Sequence, residues 1–265
     1  MDLSTLMPFA FALGIPAMLM LYSIYTWNPG WHAQVAEKTN DKFTWRSLNR
    51  LAGVVSAALA LISAGLLEYG NVQDISSATL ITAIATISYV LVQSLVTDTK
   101  LRLADRGTLR LATVFAFGMT LTYYLYNHQI IPQFEMYAWL IAMACAMLLI
   151  YMPGFGSSDA RAISLAVAGS VPIVGILGIA FSMIFYALSA VIFIVWVVMK
   201  YKVSSIMYVN HISIPAVPFL LFPFLVVTLY APLEMAFGLG WAEWWLGWIP
   251  EIIGGMVDRS VEMFS

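Results

Sequence analysis

Residues 91–110 read LVQSLVTDTKLRLADRGTLR. A long apolar run ends in Asp98, and Lys100, Arg102, Asp105, Arg106 and Arg110 then follow in quick succession. This is the edge of a lipid-crossing helix where it meets a basic, water-facing loop. A carboxylate so close to hydrocarbon is expensive, so Asp98 marks a functional site by default. A second acid has the same setting. Asp159 lies in MPGFGSSDARA, residues 152–162, between two further apolar runs.

Composition agrees with a lipid solvent. The chain has 265 residues, 62% of them hydrophobic and only 10% charged, against about 25% charged in a soluble domain. The single cysteine, Cys145, lies inside an apolar run, which excludes an intrachain disulfide or a cysteine metal cluster. The N-terminal stretch MDLSTLMPFAFALGIPAMLML lacks the basic start of a cleavable signal peptide and reads as a retained first span.

About 20 apolar residues cross the hydrocarbon core. Candidate spans are residues 5–27, 51–68, 78–97, 111–126, 136–152 and 214–234. The run 162–199 is too long for one crossing, and Gly169, Pro172, Gly175 and Gly178 offer break points, so it reads as two helices joined by a turn. The expected fold is all-α: a polytopic transmembrane helix bundle with about eight crossings. The Trp-rich end, GLGWAEWWLGWIPEIIGGMVDRSVEMF, is expected to form an interfacial helix, since Trp favours the headgroup level.

Charge sets the orientation. Lys38, Lys42, Arg46, Arg50, Lys100, Arg102, Arg106, Arg110, Arg161, Lys200 and Lys202 are eleven of the twelve Lys and Arg residues. With eight crossings all eleven fall on one face, and the opposite loops around 68–74 and 127–135 carry none. Basic loops stay cytoplasmic, so Asp98 and Asp159 are expected at the cytoplasmic face of the cell membrane. The basic loops need no nucleic acid to explain them.

Two carboxyls at one depth suggest a chemistry. Water held between one ionised and one protonated carboxyl can attack a peptide bond: the ionised acid takes a proton and the protonated acid polarises the carbonyl. Taken singly, each feature has an ordinary explanation. Ser157-Ser158-Asp159 before an apolar run is a good helix cap. Pro153, Gly154 and Gly156 suit a turn. Pro215, Pro218 and Pro223 in HISIPAVPFLLFPF suit a helix start and a kink. Asp105, seven residues beyond Asp98, reads as a solvated charge. His32, His128 and His211 are scattered, with no metal-ligand spacing.

In their order and spacing, these pieces resemble the aspartic prepilin peptidases, also called type IV leader or preflagellin peptidases, of the GxGD type. DTKLRLADRGTL matches the first family block, FGSSDARA the second and IPAVPFL, residues 214–220, the third. The resemblance covers roughly residues 78–235. It implies Asp98 and Asp159 as the catalytic pair. It also implies supporting roles for Gly154, Gly156, Ser157, Ser158, Lys100, Arg102, Arg161, Pro215 and Pro218, with no metal and no cofactor. Ser158 stands where the family motif has a second glycine, and Ala104 where the first block usually has proline. The paired cysteines of members that also N-methylate the pilin are absent, which implies a peptidase without that activity.

The implied function is removal of the short basic leader of a prepilin-like or preflagellin-like membrane protein at the cytoplasmic boundary. Glu37 or Asp41 could attract such a leader. Two other readings fit a polytopic chain with acids: a proton-coupled transporter, and a non-catalytic membrane subunit of a pilus or secretion machine. The expected organisation is a two-span N-terminal extension with a basic cytoplasmic loop (1–77), a catalytic membrane domain (78–235) and the Trp-rich interfacial segment (236–265).

Overall fold

The computed structural model describes residues 3–26, 44–72, 75–98, 105–131, 133–151, 158–169 and 216–238, with shorter helical pieces at 33, 35–37, 188, 191, 192, 195 and 199. Among the described residues there is no strand. The helices are α1 (Leu3–Tyr25), α2 (Trp45–Tyr69), α3 (Ile75–Val96), α4 (Arg106–Tyr126), α5 (Gln133–Leu148, extended by a 3-10 turn at Leu149–Tyr151), α6 (158–169) and α7 (Ala216–Phe237). Four stretches are long and apolar enough to cross a bilayer: Leu6–Tyr25, Trp45–Tyr69, Ile75–Val96 and Leu220–Phe237. Of the expected interfacial segment 236–265, residues 239–265 lie outside the described residues, and 236–237 form the end of α7.

The helices begin where local chemistry lets them. Thr44 and Ser47 form a reciprocal cap at the start of α2: the Ser47 N–H donates to Thr44 Oγ1 at 3.1 Å and the Thr44 N–H to Ser47 Oγ at 2.8 Å. This satisfies donors that the first helical turn leaves without partners. Asp105 caps α4, accepting from the N–H groups of Gly107 at 3.0 Å and Thr108 at 3.3 Å. Both caps lie in polar sequence, so α2 and α4 start several residues before their apolar runs.

At the centre of the bundle stands α3. It packs against α1, α2, α4 and α7, and its buried residues cover every side from Ser77 to Ser94. A helix enclosed all round can carry hydroxyls only if they are satisfied. Those of Thr79, Thr82, Thr86 and Ser88 donate to carbonyls one turn back, and Ser56 of α2 donates to Ala85 O at 2.6 Å. Facing α3 and α1, α2 buries Ala52, Gly53, Ser56, Ala60, Ser63 and Ala64. Small side chains allow the close backbone approach on which helix association in lipid depends. The outward positions are apolar and exposed, as lipid contact requires: Val54 and Ile62 on α2, Ile141 and Met147 on α5, and Leu188, Val191, Ile192, Val195 and Met199 at helical spacing.

Specific contacts fix which helix ends lie together. Trp45 Nε1 at the start of α2 donates to Ser23 O near the end of α1. Gln93 near the end of α3 donates to Ser23 and to Asn49 of α2. Ser23 in turn donates to Asp105 at the start of α4. The start of α7 joins this end through Asp98. At the opposite end, a Cβ on Gly70 after α2 would lie 2.9 Å from Met235 O and 3.0 Å from Ala236 Cα of α7. The end of α1, the start of α2, the end of α3 and the starts of α4 and α7 therefore share one end of the bundle. That end carries Arg46, Arg50, Arg106 and Arg110.

Candidate functional site

Asp98 follows the last residue of α3, where the chain widens into a π-type turn at Thr97 and Asp98. Only 7% of the residue is exposed. Its Oδ2 accepts the backbone N–H of Val217 at 3.1 Å. Val217 lies in the first turn of α7, whose N–H groups have no intrahelical acceptor and whose dipole favours negative charge. The first and third sequence blocks thus meet directly.

This contact gives the proline block a physical account. A helix that begins away from water must dispose of several unsatisfied donors. Pro218 carries no N–H, so it removes one donor from this start, and Asp98 satisfies that of Val217. Pro218 itself is buried beside Val217. Pro215 lies outside the described residues.

The second acid opens α6. Ser158 and Asp159 are both half-buried, and Ala160 and Ala162 are fully enclosed. The far end of α6 is anchored in the core. A Cβ on Gly169 would lie 3.1 Å from both Ala83 Cβ and Ile87 Cδ1 of α3. Thr120 of α4 donates to Ala168 O at 2.6 Å, and Trp139 of α5 to Val167 O at 3.2 Å. The near end lies within electrostatic reach of Arg106 and Arg110, whose guanidinium groups act on that of Arg161. Arg106 and Arg110 open α4, so α6 starts at the end of the bundle where α3 finishes.

Helix arithmetic then relates the positions of the two acids. From Gly169 back to Asp159 is about 15 Å of helix, and from its two contacts on α3 on to Asp98 about 16.5 Å (from Ile87) or about 22.5 Å (from Ala83), at 1.5 Å per residue. Asp98 and Asp159 therefore lie toward the same end of the bundle, carried by helices in direct contact.

Arg161, two residues past Asp159, has a buried Nη1 with no hydrogen-bond partner. Lys100, Arg102, Gly154, Gly156, Ser157, His32, His211 and Asp41 lie outside the described residues. Glu37 is exposed, as is His128, whose Nδ1 lies 3.0 Å from Leu125 O beyond α4.

One expectation is corrected. Asp105 is not a solvated charge. It is partly buried, caps α4 and accepts Ser23 Oγ at 3.1 Å and Thr108 Oγ1 at 2.5 Å on Oδ2. The sequence reading also missed the partners behind it: Ser23, Asn49 and Gln93 are all buried polar residues at this same end. The signal was available, since Asn and Gln at the margins of apolar spans ask for partners inside the protein.

No protein-family model, curated protein or solved structure matches this chain.

Proposed function

We propose that this chain is a membrane-embedded aspartic endopeptidase that removes the short basic leader of prepilin-like or preflagellin-like proteins at the cytoplasmic membrane boundary. Asp98 and Asp159 are its acid pair. One carries the proton and polarises the scissile carbonyl, while the other, ionised, takes a proton from the attacking water. No metal or cofactor has a part in this reading, and it includes no methyl transfer.

The observation that carries the proposal is the presence of Asp98 and Asp159 at the same, basic end of the bundle, with Asp98 docked on the proline-opened start of α7. The three sequence blocks thereby converge, although they are dispersed along the chain. The contacts also favour the eight-crossing arrangement. With α6 and α7 both starting at the basic end, this reading takes the chain back across the bilayer between them, and the exposed apolar helical positions 188, 191, 192, 195 and 199 suit such a crossing. The excess of Lys and Arg at that end supports a cytoplasmic orientation. A prepilin-like substrate has its leader there and its apolar helix in the bilayer, so its cleavage point lies at the depth of the two acids.

The test is cleavage of a membrane-embedded prepilin by the purified protein, compared with Asp98→Asn and Asp159→Asn. The proposal expects cleavage by the wild type and none by either variant. Wild-type rates in either variant, or an inert wild type, overturn it; the latter would leave the transporter and structural-subunit readings standing.

A further inference from the structure

The N-terminal pair α1 and α2 has no part in the three sequence blocks. It nevertheless reaches the acid-bearing end of α3 through an enclosed chain of polar groups. Gln93 Nε2 donates to Ser23 Oγ at 3.0 Å and to Asn49 Oδ1 at 2.9 Å. Ser23 Oγ passes the chain on, donating to Asp105 Oδ2 at 3.1 Å. The Tyr89 hydroxyl donates to Asn49 Oδ1 at 2.8 Å, and Asn49 Nδ2 to Trp45 O at 2.8 Å. Ser23, Asn49, Tyr89 and Gln93 are each at most 2% exposed. Four helices meet in this chain.

Such a network is a poor source of stability. Replacing a buried hydrogen-bonded pair by apolar groups of like shape is often neutral, and apolar side chains are the common currency of this protein. What a directional network adds is geometry. Apolar contacts tolerate small rotations and slides, whereas an amide with both protons committed fixes the register and rotation of its helix. The committed amide is Gln93, and its position matters. The backbone carbonyl of Gln93 accepts Thr97 Oγ1 at 3.1 Å, and Thr97 and Asp98 form the widened turn. Val96 packs against the cluster of Val35, Trp45 and Leu48. The last turns of α3 are therefore gripped from α1 and α2 while Asp98 reaches to α7. Gln93 reaches to α1 and α2 while Asp98, five residues on, reaches to α7.

We infer that Gln93, held by Ser23 and Asn49, is a positioning residue that sets the placement of Asp98 against the start of α7, which makes the N-terminal helix pair part of the functional site. This inference rests on the peptidase reading for its effect on turnover, though not for its structural content.

The experiment uses the full-length protein in lipid nanodiscs and two readouts. The first is hydrogen exchange at the Val217 amide, which has no helical acceptor and so reports on Asp98 itself. Protection is expected in the wild type and in Thr120→Val, which loosens a remote α4–α6 contact. Loss of protection is expected in Asp98→Ala, in Gln93→Leu and in the milder Ser23→Ala, which serves if Gln93→Leu does not fold. The second readout is prepilin cleavage. Gln93→Leu is expected to lower kcat on the order of 10- to 100-fold, the cost of misplacing a reacting group by about an ångström, with KM within about twofold of wild type. Wild-type protection of Val217 in both Gln93→Leu and Ser23→Ala overturns the positioning role. Cleavage by Asp98→Ala overturns the peptidase reading instead and leaves the exchange result to decide the positioning role by itself.

Discussion

The Val217 N–H donates to Asp98 Oδ2 across a separation of 119 residues. The acid at the end of α3 thus completes the start of α7. Asp98→Ala is therefore expected to affect stability as well as chemistry. An enclosed N–H left without an acceptor costs about 1–3 kcal/mol. Asp98→Asn keeps an acceptor oxygen and is expected to melt close to the wild type, while both variants lose cleavage. Thermal unfolding in detergent, set beside the cleavage assay, checks this; equal melting of Asp98→Ala and wild type would show that the contact does not contribute.

Asp105→Ala removes a helix cap and the acceptor of two hydroxyls. The cap alone is worth about 1 kcal/mol, and the stranded Ser23 and Thr108 hydroxyls add to the loss. We expect a destabilisation of about 2–3 kcal/mol with cleavage reduced but measurable, in contrast to the complete loss in Asp98→Ala. Denaturant unfolding and a rate measurement on the same preparation separate the two acids; an inactive yet stably folded Asp105→Ala would contradict this division of roles.

Gly169→Leu is expected to push α6 away from α3. Even a Cβ at this position meets Ala83 Cβ and Ile87 Cδ1 at 3.1 Å, so a larger side chain must displace a helix, at a cost of about 1–3 kcal/mol. Because α6 carries Asp159, the same change is expected to slow cleavage. Gly169→Ala, which asks for a shift of only a few tenths of an ångström, should retain most of the rate. Parallel melting and cleavage measurements on the two variants test the graded response.

Arg161→Met is expected to leave stability unchanged or raise it. The wild-type side chain buries an unpartnered Nη1 and sits near Arg106 and Arg110. Added salt screens the repulsion, so raising the ionic strength should stabilise the wild type more than the variant. Melting curves at low and high salt decide; an equal salt response in the two proteins would remove the repulsion argument.

Much of the architecture could be read from the sequence because lipid imposes a simple rule. The apolar runs at 5–27, 51–68, 78–97, 111–126, 136–152 and 214–234 each overlap a helix of the structure, and those at 5–27, 51–68, 78–97 and 214–234 overlap the four that are long and apolar enough to cross a bilayer. Their starts were placed late wherever a cap lies in polar sequence: Thr44 begins α2 and Asp105 begins α4, upstream of the runs that the composition picks out. The position of Asp98 was legible as the end of a span, but not its partner, since nothing local links residue 98 to residue 217. Asp105 was misread because a charge beside Arg106 looks solvated in one dimension. Only the folding of α1 alongside α4 brings Ser23 to it. Ser23, Asn49 and Gln93 went unnoticed for the same reason: each is unremarkable alone, and their meaning lies in meeting.

The docking of Asp98 on α7 also bears on the order of events during synthesis. Helices α1 to α4 emerge from the ribosome early, and with them the whole polar clamp around Gln93. The N–H that receives Asp98 belongs to a helix translated much later. A nascent chain therefore carries its first acid into the membrane long before the surface that holds it exists, and the site becomes complete only when translation has passed Val217.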